Sequence, residues 1–209
     1  MISGQIPNYE RPSLMKRFRD EKSFSSRLIE PEKLLCILEA GRQSSSYNNE
    51  QPWSFVITTK SSVDHAQLIR CLAAGNATWA ADAPVLILSV AKVYFESDGS
   101  KNGYAFHDLA GAVSNITSKA KALGIVTHSI AGFDATLARE TFEIPSGYVP
   151  VSVLVLGYPK DGQLKRIDAE QGGEQARRPL ESVAFSGVWG RPLASDRKSR
   201  SPIDSCQVC

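Results

Sequence analysis

The apolar positions of this chain fall into short blocks of two periods. Val85–Val90 is a nearly unbroken apolar run behind Pro84, and Val149–Leu156 is another, closed by Gly157-Tyr158-Pro159. Runs of this kind and length predict strands buried on both faces. Ser54–Thr59 reads as a further strand, entered just after Pro52. Helical spacing dominates elsewhere. Pro31 suits a first helical position, Leu34, Leu35, Ile37 and Leu38 supply an apolar face, and Gly41 is placed to end the helix. Cys36 falls inside that pattern and reads as a small buried hydrophobe. Further helices are predicted over Val63–Ala74 and Ala135–Phe142. The longest covers Gly103–Leu123, where Leu109, Val113, Ile116, Ala120 and Leu123 share one face and Gly124 follows as the terminating residue. Strands and helices alternate irregularly, so the pattern itself suggests a mixed sheet packed by helices.

The character changes at Arg191. Residues Arg191–Cys209 are rich in Ser, Arg, Lys, Pro and Asp, a composition that cannot repay the entropy of ordering. The expected organisation is one folded domain over residues 1–190 and a disordered polar tail over 191–209. With 209 residues and 42% hydrophobic composition the chain can bury a sizeable core. Its 24 Lys and Arg against 22 Asp and Glu leave a formal +2, too little to argue for nucleic acid or an anionic membrane. The longest apolar stretch, Ala83–Ala91, is far short of the ~20 residues that span a bilayer. Met1–Glu10 is polar, without an apolar signal core, and a reducing cytoplasm is the expected location. Cys206 and Cys209 have CxxC spacing, but neither a βαβ context nor a second ligand pair accompanies them.

Chemistry by short motif is missing. There is no GxGxxG, no Walker A loop, no HExxH and no GxSxG, and His65, His107 and His128 are not spaced as metal ligands. Three regions exceed what a bland fold requires. The first is basic: Lys16, Arg17, Arg19 and Lys22, followed by Phe24. The second is the polar run Ser44-Ser45-Ser46-Tyr47-Asn48-Asn49-Glu50-Gln51-Pro52-Trp53, and the third is Arg177-Arg178-Pro179. Arginine forks match phosphate oxygens, and a stretch of hydroxyls and amides can cradle a polar heterocycle. Singly each is weak, since basic runs are usually solvated and Ser-Asn clusters are usually turns.

In order along the chain, these regions resemble the nitroreductase family of flavoproteins. Asp108 opens the long helix as the family's Asp does. Ala122-Leu123-Gly124-Ile125 and Ala131-Gly132-Phe133-Asp134 resemble its "ALGL…GFD" stretch, and Arg177-Arg178-Pro179 with Trp189-Gly190 resembles its C-terminal signature. The resemblance spans Leu14 to Pro192.

It implies an α+β fold with a mainly antiparallel central sheet flanked by helices, an intertwined homodimer, and FMN held between subunits. Carried over by position, the cofactor-binding residues are Arg17, Arg19, Lys22, Ser45, Ser46, Asn49, Ala131, Gly132, Arg177 and Arg178. Arg19, Arg177 and Arg178 would hold the phosphate by charge-assisted bonds, and Lys22 would face the pyrimidine edge of the ring. The implied activity passes hydride from NADH or NADPH, through FMN, to a nitroaromatic, quinone or similar small electron-poor acceptor in a ping-pong course. The flavin carries that chemistry, so no catalytic side chain and no metal is expected. Asp20 stands where the family has Ser, and Ala131 where many members have Glu. These departures leave open a flavin-dependent oxidase or dehalogenase reaction on the same fold, or a flavin-binding protein without turnover.

Overall fold

The computed structural model describes residues 23–60, 62–160 and 178–193. The chain divides into two compact units, residues 1–167 and 168–209. Among its described residues, the first unit runs α1 (Pro31–Arg42), β1 (Trp53–Thr59), α2 (Val63–Cys71), α3 (Ala74–Ala80), β2 (Val85–Lys92), α4 (Ala105–Ala122), β3 (Val126–Ile130), α5 (Ala135–Thr141) and β4 (Tyr148–Gly157).

The four strands form one sheet in the order β1-β2-β4-β3, with every pairing antiparallel. This corrects the mixed sheet that the element pattern suggested. β2 and β3, joined through α4, run in the same direction, but β4 inserts between them and turns both contacts antiparallel. Alternation along β2 and β4 divides the core. Val85, Ile87, Leu154 and Leu156 face Ile37 of α1 and Ile116 and Ala120 of α4. Leu86, Leu88, Val90, Val153 and Val155 face Leu68 and Cys71 of α2, Ala80 of α3 and Ala138 of α5. The sheet is therefore a middle layer between α1/α4 and α2/α3/α5. Each fully buried Leu, Ile or Val in it contributes about 1.5–3 kcal/mol of transfer free energy.

Local chemistry explains most of the boundaries. Pro31 starts α1 as expected, its missing N–H falling where a helix has no use for one. Gly41 does not end that helix. It lies buried within it, and a Cβ there would stand 2.7 Å from Ile116 Cγ1, so the glycine permits the α1–α4 crossing. Cys36 and Leu35 are exposed, against the expectation that both belong to the buried face. The buried stripe runs instead through Ile37 and Gly41. Gly124 does terminate α4, with φ +76° and with Gly124 N and Ile125 N donating to Lys121 O and Ala120 O at 3.0 and 2.9 Å.

The helix expected over Val63–Ala74 is interrupted. Leu72 and Ala73 are extended (ψ 147° and 141°), and a separate α3 follows. β3 lies in a stretch with no strong strand period, where edge pairing to β4 supplies the order. Asp134 caps α5, its Oδ1 accepting from Thr136 N and Leu137 N at 2.9 Å. Phe24 pairs with Pro159 outside the named strands and sits against Gly157, whose absent Cβ would stand 2.6 Å from Phe24 Cδ1.

In the second unit, Leu180–Ser182 forms a 3-10 turn, Phe185 pairs with Pro192, and the Phe185 and Trp189 rings lie 4.9 Å apart. Most of the expected tail, residues 194–209, lies outside the described residues.

Candidate functional site

The polar run after α1 folds into a tight, pinned loop. Ser44 N donates to Gly41 O at 3.1 Å, and a 3-10 turn over Tyr47–Asn49 is closed by Asn49 N→Ser46 O at 3.2 Å and Glu50 N→Tyr47 O at 3.0 Å. Asn48, Asn49 and Gln51 all have left-handed backbone (φ 49°, 60° and 48°). Asn tolerates this conformation because its short amide bonds locally, whereas Gln carries a cost of about 1–2 kcal/mol. Gln51 is held there by N→Ser46 Oγ at 3.0 Å and Nε2→Asn49 O at 3.1 Å. Pro52 O then accepts Lys92 N at 2.8 Å, which sets β1 beside β2.

The loop is tethered to α4 by one buried carboxylate. Asp108, 5% exposed and in the first turn of α4, accepts Tyr47 N at Oδ2 and bonds His107 Nδ1 at Oδ1, each at 2.9 Å. The charge sits where the exposed N–H groups of a helix start favour it. Ser45 and Asn49 lie on the exposed side of this loop and Ser46 is half-buried. Pro52 is buried and Trp53 packs against the Ala91–Ala105–Leu109 cluster, so these two serve the strand entrance.

A second polar element follows β3. Ala131 and Gly132 are exposed, and Gly132 O accepts Ala73 N at 3.0 Å and Asn76 Nδ2 at 3.4 Å. Phe133 pairs with Leu72, and Asp134 N donates to Cys71 O at 2.7 Å. The turn is thus fastened residue by residue to the α2–α3 junction. A Cβ on Gly132 would stand 3.2 Å from Asn76 Nδ2, so the bare backbone lies directly beside that amide. Asn76 was not among the residues expected at the site. Its one signal is that it is the sole amide in the small-residue run Ala73-Ala74-Gly75-Asn76-Ala77.

Topology separates the two elements within one chain. Trp53 is level with Ala91 and Ala91 with Val149, while Ile130 is level with Val153 and points toward the same end. The loop over Ser44–Pro52 and the Ala131–Gly132 turn therefore share one end of the sheet. They lie on its opposite edges, three strand spacings or roughly 14 Å apart. Those of the expected residues that are described in the first unit thus fall into two separate groups.

Residues 64–158 match the sequence model of the nitroreductase family. The chain is also 27% identical to an oxidoreductase containing FMN, with a TM-score of 0.78 over 88% of this chain and 95% of that one. The chain thus resembles the nitroreductase family in sequence over residues 64–158 and in fold over most of its length. A nitroreductase family protein of Clostridium difficile 630 shares the fold at 21% identity and a TM-score of 0.68, over 84% of this chain and 96% of that one. A protein of Archaeoglobus fulgidus provisionally named NADH dehydrogenase/NAD(P)H nitroreductase is 29% identical over 149 residues, 68% of this chain and 82% of that one. An uncharacterised 15.4 kDa protein of Mycolicibacterium smegmatis is 35% identical over 92 residues, 43% of this chain. The match spans 62% of that relative's length, less than two thirds.

The expected α+β fold and antiparallel sheet are present. Of the residues carried over from the family resemblance, Ser45, Ser46 and Asn49 share one loop, and Ala131 and Gly132 share the turn after β3. Arg178 belongs to the second unit, where its guanidinium donates to Ser182 O at 3.0 Å. Arg17, Arg19, Lys22 and Arg177 lie outside the described residues. Among the described residues, no group of three His, Cys, Asp or Glu side chains is placed to hold a metal ion, and no helix is long and apolar enough to cross a membrane.

Proposed function

We propose that this protein is a nitroreductase-type, homodimeric FMN-dependent oxidoreductase that takes hydride from NADH or NADPH and reduces a small electron-poor acceptor such as a nitroaromatic or a quinone. The observation that carries the reading is the pair of polar segments at one end of the sheet, on its two opposite edges. A second copy could place its Ser44–Pro52 loop opposite the Ala131–Gly132 turn of the first. Each subunit would then supply half of two equivalent sites, as a twofold interface requires.

The described residues fit a flavin ring. Ala131 and Gly132 are exposed, and the Asn76 amide, which spends one N–H on Gly132 O, has a second to offer as a donor of the kind a pyrimidine edge requires. Ser45, Ser46 and Asn49 offer hydroxyl and amide groups from the other half-site. Arg178, with Arg17, Arg19, Lys22 and Arg177, would meet the phosphate and the pyrimidine edge. FMN, when bound, supplies the hydride chemistry itself. The protein's part is to bind, orient and leave one ring face open, and one open face serving nicotinamide and acceptor in turn gives a ping-pong course. A relative containing FMN supports the cofactor, and one provisionally named for NAD(P)H supports the reductant.

The test is the visible spectrum of purified protein incubated with FMN and freed of excess, before and after NADH and NADPH. Retained flavin absorbance that bleaches with either nicotinamide and recovers with a quinone is the expected result. Protein that stays colourless overturns the reading. Sedimentation of the loaded protein tests the dimer, and a monomer with full flavin content excludes the shared site.

A further inference from the structure

The Ser44–Pro52 loop carries one large side chain that cofactor binding does not explain. Tyr47 lies between Ser46 and Asn49 and is 45% exposed. Its ring stacks on that of Tyr104, itself 49% exposed, at 4.4 Å between centroids and 16° between planes. Phe95 backs Tyr47 at 5.9 Å and 51°. Both tyrosines are anchored through the backbone. Tyr47 N is held by Asp108, and Tyr104 N donates to Oδ1 of the buried Asn102 at 2.9 Å. The left-handed turn over Asn48 and Asn49 fixes the chain on the other side of Tyr47.

We propose that the stacked Tyr47–Tyr104 pair is the specificity-determining wall of this oxidoreductase, a shelf that recognises a flat, electron-poor aromatic acceptor by stacking. The inference rests on the reading of the neighbouring loop as a flavin half-site. Three physical points carry it. Two phenol rings left near half exposed keep apolar area available for a partner. Phenols are electron-rich, and the negative face of such a ring attracts the positive face of a nitroarene or quinone. The rings are already ordered by their neighbours, so a ligand meets a rigid surface and little side-chain freedom is lost on binding.

The experiment uses the full chain loaded with FMN, as wild type, Tyr47→Ala, Tyr47→Phe and Tyr104→Ala. Binding of 1,3-dinitrobenzene is measured by equilibrium dialysis without reductant, and steady-state reduction of 1,4-naphthoquinone is compared with that of ferricyanide, which cannot stack. Removal of either ring should weaken dinitrobenzene binding about tenfold, with Tyr47→Phe within about twofold of wild type. The KM for naphthoquinone should rise in the Ala variants by a similar factor, with kcat little changed and ferricyanide far less affected. Unaltered dinitrobenzene binding in both Ala variants overturns the proposal, and so does an equal loss with both acceptors. A shift of Tyr47→Ala toward monomer on sedimentation also overturns it, because the shelf would then be covered by a second copy. If wild type retains no FMN, the flavin reading fails, and dialysis with the unloaded chain still decides whether the rings bind the arene.

Discussion

Truncating Asp108 to alanine removes the buried carboxylate that ties the Ser44–Pro52 loop to α4. The carboxylate is 5% exposed and makes two 2.9 Å bonds, to Tyr47 N and to His107 Nδ1. A hydrogen bond between a charged acceptor and a backbone donor contributes about 1.5–3 kcal/mol net. Its position in the first turn of α4 adds about 0.3–1 kcal/mol. The His107 contact adds little, because that side chain is 84% exposed and the pair is screened by water. Two effects offset the loss: Tyr47 is partly exposed, so water can reach its freed N–H, and deleting a buried charge recovers its desolvation. The expected net destabilisation is about 2 kcal/mol. Asp108→Asn keeps an acceptor for Tyr47 and should lose about half as much. Urea unfolding with an unchanged m-value reads the global effect. Exchange of the Tyr47 amide reads the local one and should accelerate by about 30-fold, the factor equivalent to 2 kcal/mol. A loss under about 0.5 kcal/mol in Asp108→Ala, or an Asn variant weaker than the Ala variant, would refute the tether.

Other perturbations follow from the same geometry. Gly157→Ala places a methyl 2.6 Å from Phe24 Cδ1 and 2.8 Å from Pro84 Cδ, and overpacking of this kind should cost about 1–3 kcal/mol, read as a lower thermal midpoint. Glu30 accepts the Tyr158 hydroxyl and pairs with Arg27, and these bonds hold its carboxyl down at about 2 against an ordinary 4.5. A depressed carboxyl stabilises the fold above its unfolded value, so stability should fall between pH 4.5 and about 2, and Tyr158→Phe should flatten that fall in acid-unfolding curves. Burial pushes His65 below its ordinary 6.5, and its Nε2 donates to Ala83 O at 3.0 Å. The unfolded chain then takes up the proton first, so stability should drop as pH falls below 6.5. His65→Gln, which keeps a donor, should remove that part of the pH dependence in urea titrations.

What the chain's sequence determined by itself is what depends on near neighbours. β2, β4, α4 and α5 were legible because burial on two faces, or on one helical stripe, leaves its period in consecutive residues. Gly124 and Pro31 were legible because capping is a local backbone demand. The ordered polar and basic segments carried the resemblance to the family, because several short motifs in sequence are far more specific than any one.

Tertiary structure decided the rest. Gly41 looks like a helix end until Ile116 of α4 is seen against it, and Cys36 sits in an apolar pattern whose buried stripe runs along another side. The break at Leu72–Ala73 follows from the Gly132 carbonyl and Phe133 that the strand end brings there. Asn76 became a candidate through the same contact, 56 residues away in sequence. Above all, the strand order put Ser45, Ser46 and Asn49 on one edge and Ala131 and Gly132 on the other. Strand order is set by which hydrophobic faces pack best across the whole sheet, a sum over distant pairs that no local window contains.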